Sequence, residues 1–140
     1  MKNLIIVIIF FLSINYVVAQ SEHLDSAYER ISTMPDDSAK AYELIKLCNK
    51  YLGVDINKAI QHSKEVIALS KKIHHKKTEI LGYYFAFVSF ATHGKVDSCM
   101  YYANLGEKMA EQENELKLLS DIYSAYVQVY QELSDNKNAI

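Results

Sequence analysis

The 140-residue sequence predicts an all-α fold of antiparallel helix-turn-helix repeats, and three observations lead there. Four glycines and one proline leave long uninterrupted segments, which suits helices and argues against a turn-rich β architecture. Apolar side chains recur at spacings of three, one and three: Leu44, Leu47, Cys48 and Tyr51, then Tyr83, Ala86, Phe87 and Phe90, then Tyr123, Tyr126, Val127 and Tyr130. That spacing marks one face of an α-helix. A small residue followed by an apolar one also recurs every 40 residues, as Ala59-Ile60, Cys99-Met100 and Ala139-Ile140, each behind a short polar turn. A fixed period of this length signals a repeat array.

The first element is an address. Lys2 supplies a positive charge, Leu4 to Leu12 an apolar run, and Ser13 and Asn15 interrupt it. Val17-Val18-Ala19 then offers the short side chains a signal peptidase accepts, so residues 1–19 read as a signal peptide cleaved after Ala19. A retained membrane anchor is the competing reading, but a spanning helix needs about 20 consecutive apolar residues. The residue directly after the cleavage position is Gln20 and not cysteine, so a lipoprotein signal is not indicated. The expected location is exported, in the periplasm.

Residues 20–36 form a lead with a short capping helix from Ser21 to Ser32, which puts Leu24, Ala27, Tyr28 and Ile31 on one side. The array occupies 37–140, divided near 37–76, 77–113 and an incomplete 114–140. Helices are predicted from Asp37 to Leu52, Asp55 to Ile73, Lys77 to Thr92, Lys95 to Gln112 and Asn114 to Leu133. Asp36 or Asp37 caps the first, directly after Pro35. Asp55 and Asp97 stand at helix starts, where the dipole favours a carboxylate. Ser134 to Asn138 reads as the third polar turn. The second-helix stripe Ala59, Ile60, Ser63, Val66, Ile67 is echoed by Cys99, Met100, Ala103, Gly106, Glu107, in which Gly106 and Glu107 read as poor core residues.

The formal charge is −2, or −3 once the segment carrying Lys2 is removed, and no run of five like charges occurs. Such a balance offers no footprint for nucleic acid or an anionic membrane. Cys48 and Cys99 sit where the helical pattern wants small buried residues and read as free core thiols. His74 and His75 project about 100° apart on a helix, a poor geometry for one metal ion. Followed by Lys76-Lys77, they read as a helix C-terminus. The sequence holds no G-x-S-x-G elbow, Gly-rich phosphate loop, H-E-x-x-H or C-x-x-C. The expectation is a protein without catalytic residues, metal or cofactor.

At the aromatic positions Tyr51, Phe90 and Tyr130, and the small positions Ala59, Cys99 and Ala139, the chain resembles the tetratricopeptide repeat family over residues 37–140. It departs from that family in its period of 40 instead of 34, in lacking a closing proline, and in placing Phe87 and Val127 where a small residue is usual. The period overlaps HEAT-type arrays as well. The resemblance implies a short right-handed solenoid that binds proteins or peptides. With the export signal it further resembles the exported sensor regions of Bacteroidota-type histidine kinases and regulators, so the expected role is the sensory part of a signalling protein. The alternative is a truncated or fragmentary gene product whose output domain is missing. Membrane contact is expected only through export or through a missing C-terminal part, and self-association through the open third repeat.

The segment Ile80 to Phe90 is apolar nearly all round, either as a central helix sandwiched by neighbours or because an extra face is covered by a ligand. The family resemblance puts first-of-pair helices along a peptide groove. Its lining here would be Leu81, Tyr84, Phe85 and Val88, continued by Tyr42, Ile45 and Asn49 on one side and Asp121, Ser124 and Gln128 on the other.

Overall fold

In the computed structural model, which describes residues 20–138, every regular element is a helix. The signal read over 1–19 and the third pair, Ala139-Ile140, lie outside the described residues. Helix α1 covers residues 20–32. It is followed by α2 (Ser38–Tyr51), α3 (Ile56–Lys72), α4 (Lys76–Thr92), α5 (Val96–Gln112) and α6 (Leu116–Asn138). No helix among the described residues is long and apolar enough to cross a membrane.

Local chemistry sets the helix starts. The Asp37 carboxylate accepts from the Lys40 amide at 3.0 Å, and Asp55 accepts from Asn57 and Lys58 at 3.0 and 3.2 Å. Each satisfies backbone donors that the first turn leaves open. His75 corrects an expectation: it opens α4, and its Nδ1 accepts from the Thr78 amide at 3.3 Å. Lys76 and Lys77 therefore belong to the first turn of α4 and not to the end of α3.

The stops are built alike. The amides of His75, Lys95 and Glu115 reach back to the carbonyls of Ser70, Phe90 and Ala110, at 3.0, 2.9 and 2.9 Å. The residue before each, His74, Gly94 and Asn114, takes a positive φ of 56°, 73° and 55°. This is a helix-ending motif that satisfies terminal carbonyls through one left-handed residue. It recurs every 20 residues, and α3, α4 and α5 are each 17 residues long. The 40-residue period is thus two equal half-repeats. The third expected turn differs: α6 runs through Ser134 to Asn138. Nothing in Ser-Asp-Asn-Lys-Asn locks the backbone against continuing a helix, as Pro would.

From α2 onward each helix packs against the next, and α4 also touches α2 and α6. Four helical neighbours explain why α4 is apolar nearly all round: it is the central helix. Leu24 and Ile31 of α1, Leu44, Leu47, Cys48 and Tyr51 of α2, and Ala59, Val66 and Leu69 of α3 close the first cluster. Ile80, Ala110, Leu118 and Ile122 close a second between α4, α5 and α6. Gly106, expected to be a poor core residue, is buried, because its missing side chain lets α5 approach Tyr83 and Ile122.

Candidate interaction surface

The half-repeats place α2, α4 and α6 in a row, and the expected groove residues lie along its two seams. Leu81 and Phe85 rest against the α1–α3 core, while Tyr84 and Val88 rest against Phe87, Cys99 and Ala125. The rings of Tyr84 and Phe85 meet edge to face at 5.3 Å between centroids. Burial raises the Tyr84 pKa, and the charge of Asp121 on α6 adds to it. Leu81, Tyr84, Phe85, Val88, Tyr42 and Asp121 are all half-buried. Asn49, Ser124 and Gln128 are exposed, and Ile45 belongs to the core, 8% exposed. Tyr42 turns toward the α3–α4 turn, its ring edge-on to His75 at 5.9 Å.

Clefts open on other faces. One of about 540 Å³ lies between α1 and α2, with Arg30, Lys46 and Lys50 on its rim. One of about 360 Å³ lies between α3 and α5 over Tyr83. A third, of about 380 Å³, runs along the outer side of α6.

That outer side is the most apolar exposed surface described. The stripe Tyr83, Ala86, Phe87 of α4 is buried, as is Leu44, Leu47, Cys48, Tyr51 of α2. The equivalent α6 residues Tyr123, Val127 and Tyr130 are 44%, 55% and 54% exposed, and Leu116 beside them 68%. Only Tyr126 turns inward, its ring 5.2 Å from Phe87, its hydroxyl near Asn104 and Glu107 at 3.1 and 3.3 Å. Burial, with the Glu107 charge next, pushes its pKa up to about 12. Tyr123 also donates to Glu107, at 3.0 Å. Glu107 thus pins two α6 tyrosines to α5, a role its polar character concealed in the sequence.

The reactive side chains are engaged structurally. His62 is buried between the rings of Tyr28 and Tyr51, at 4.4 and 5.3 Å, with Nδ1 3.2 Å from Glu65. The Asp25 carboxylate receives Tyr51 and Lys58 together, tying α1 to α2 and α3. The Lys58 hydrogen bond, then that of Tyr51, holds the Asp25 pKa below the usual carboxylate value. Cys48 and Cys99 are free and buried, and burial pushes Cys48 up to about 12 and raises Cys99. A thiol held protonated is a poor nucleophile. Among the described residues no three His, Cys, Asp or Glu side chains gather as a metal site would require.

The arrangement defines a class: an all-helical protein whose helices pack in sequence order, with open side chains on its last described helix. Comparison with protein-family models, curated proteins and solved structures returned no match.

Proposed function

We propose that the chain is a non-catalytic protein-interaction module, a short tetratricopeptide-like array that works outside the cytoplasm as the sensory part of a signalling protein. The 20-residue half-repeat and the alternation of helices around α4 support the repeat reading. The observation that carries the interaction role is the open face of α6. Leu116, Tyr123, Val127 and Tyr130 form a contiguous apolar strip of the kind that marks a protein-binding surface. The seam at Leu81, Tyr84, Phe85 and Val88 is the candidate peptide groove. The export reading rests on residues 1–19, and the sensory role on the family resemblance.

Peptide selection against the full chain tests this reading, with bound peptides mapped by NMR. Selected peptides should carry apolar anchors and perturb α6 around Val127 or the α2–α4–α6 seam. Val127→Lys with Tyr130→Lys should abolish capture at α6 while the helical circular dichroism is unchanged. A library that yields no enriched motif, or selected peptides that map to neither surface, would overturn the interaction role.

A further inference from the structure

The cleft between α3 and α5 is separate from the α6 strip and from the α2–α4–α6 seam. Its α3 wall is Lys64, Ile67, Ala68 and Lys71, its α5 wall Tyr101, Tyr102 and Leu105, and Tyr83 of α4 lies at its base. The two lysines stand seven residues apart on one helix, about 10 Å along the axis. Neither makes an ion pair among the described residues, nor do Lys50, Lys95, Lys108 and Lys117, but Lys64 and Lys71 are the two lysines that line this cleft. Each ammonium instead lies over a ring: Lys64 over Phe90 at 5.3 Å, Lys71 over Tyr83 at 5.6 Å. Glu79, buried on α4, accepts from the Tyr83 hydroxyl at 3.2 Å and pairs with Lys76 at 3.9 Å. Tyr101, 60% exposed, sets its ring edge-on to Tyr102 at 5.2 Å, and Tyr102 stacks on Phe90 at 5.4 Å.

This is a trough with a cation toward each end and an apolar, aromatic middle. From it we infer that the α3–α5 cleft binds an extended acidic peptide segment in which an apolar side chain stands between two carboxylates. In an extended chain alternate residues share a face and each advances about 3.3 Å. Residues i, i+2 and i+4 therefore present carboxylate, anchor and carboxylate over about 13 Å, which two flexible lysines about 10 Å apart can meet. The anchor falls on Ile67, Ala68 and Leu105 beside the exposed Tyr101 ring. Concavity favours a peptide over an anionic membrane, because a flat surface cannot reach the buried Ile67 and Tyr83.

The test is titration of the full chain with the labelled peptide acetyl-Glu-Ser-Phe-Ser-Glu-amide and with its Gln-Ser-Phe-Ser-Gln counterpart. The acidic peptide should bind saturably, shift the Ile67 and Leu105 methyl resonances, and weaken as salt is raised. The Gln form should bind about tenfold or more weakly. Lys64→Gln and Lys71→Gln, both exposed on α3, should each weaken the acidic peptide and leave the Gln form unchanged. Ala68→Glu, also exposed, should abolish binding with the helical signal intact. Equal binding of the two peptides, no saturation by millimolar concentration, or lysine variants without effect would overturn the inference. So would lysine-dependent capture of phosphatidylglycerol vesicles by a chain that ignores the peptide.

Discussion

Gly106 of α5 lies so close to Ile122 of α6 that a Cβ on the glycine would stand 3.3 Å from the Ile122 Cδ1. Forty residues earlier the same two positions are Val66 of α3 and Gly82 of α4, and the bulk has changed sides. A Cβ on Gly82 would stand 3.1 Å from Val66 Cγ1 and 2.8 Å from Ile67 Cγ1. Each seam takes one branched side chain and one absent one, in either order. Gly82→Ala should therefore destabilise by about 1–3 kcal/mol through overpacking, against the roughly 1 kcal/mol that Ala would gain in an open helix. Urea unfolding reads the difference. Gly106→Val combined with Ile122→Gly should lose less than the sum of the two single changes; strict additivity would contradict the reciprocal fit.

The three left-handed turn residues make a second prediction. Gly94 holds its φ of 73° without strain, so Gly94→Ala should lower stability by about 1 kcal/mol. At Asn114 and His74 the same backbone carries a side chain, and either residue changed to Gly should be neutral or mildly stabilising. Thermal melts of the three variants separate these signs. A stabilising Gly94→Ala would show that the turn is not held left-handed in solution.

Ser89 is fully buried on α4, and its hydroxyl has no hydrogen-bond partner among the described residues. Leaving a buried hydroxyl unpaired costs about 1–3 kcal/mol. Ser89→Ala removes that cost along with only one small atom, so the expected result is a rise in the unfolding midpoint. A loss of stability would mean that the hydroxyl has a partner in solution.

Acid sensitivity should report on Asp25. Its folded pKa lies below the ordinary value of 3.8, through the hydrogen bond from Lys58 and then that from Tyr51. A carboxylate depressed on folding stabilises the fold above its unfolded pKa, and that contribution is lost as pH falls through the folded pKa. Asp25→Asn should therefore destabilise at neutral pH, and its gap to the parent should narrow below about pH 4. Unfolding curves between pH 7 and 3 check this; a gap independent of pH would mean that the charge of Asp25 is not what ties α1 to α3.

Much of the helical layout was legible because its causes are local. The three-one-three stripes and the Asp37 and Asp55 caps depend only on residues a turn or two apart, and the 40-residue recurrence is read by comparing one such stretch with the next. The turns at His74 and Asn114 were harder to see, since a left-handed residue is recognised most readily as glycine and only Gly94 is one. Of the candidate site, the apolar excess of Ile80 to Phe90 was visible, but a single helix cannot show which of its faces is covered. Packing decided that: four neighbours enclose α4, Ile45 falls inside the core, and Leu81, Tyr84, Phe85 and Val88 are left half-buried in the seams.

By itself, then, the sequence determined most of the helix layout from α2 to α5 and its recurrence, because periodicity and capping are encoded within single turns. Only the tertiary structure decided which apolar stripe stays open on α6, which glycine meets which branched side chain, and which lysines lack a carboxylate. Those are relations between residues 15 to 40 positions apart in the chain, and they exist only once the helices lie side by side.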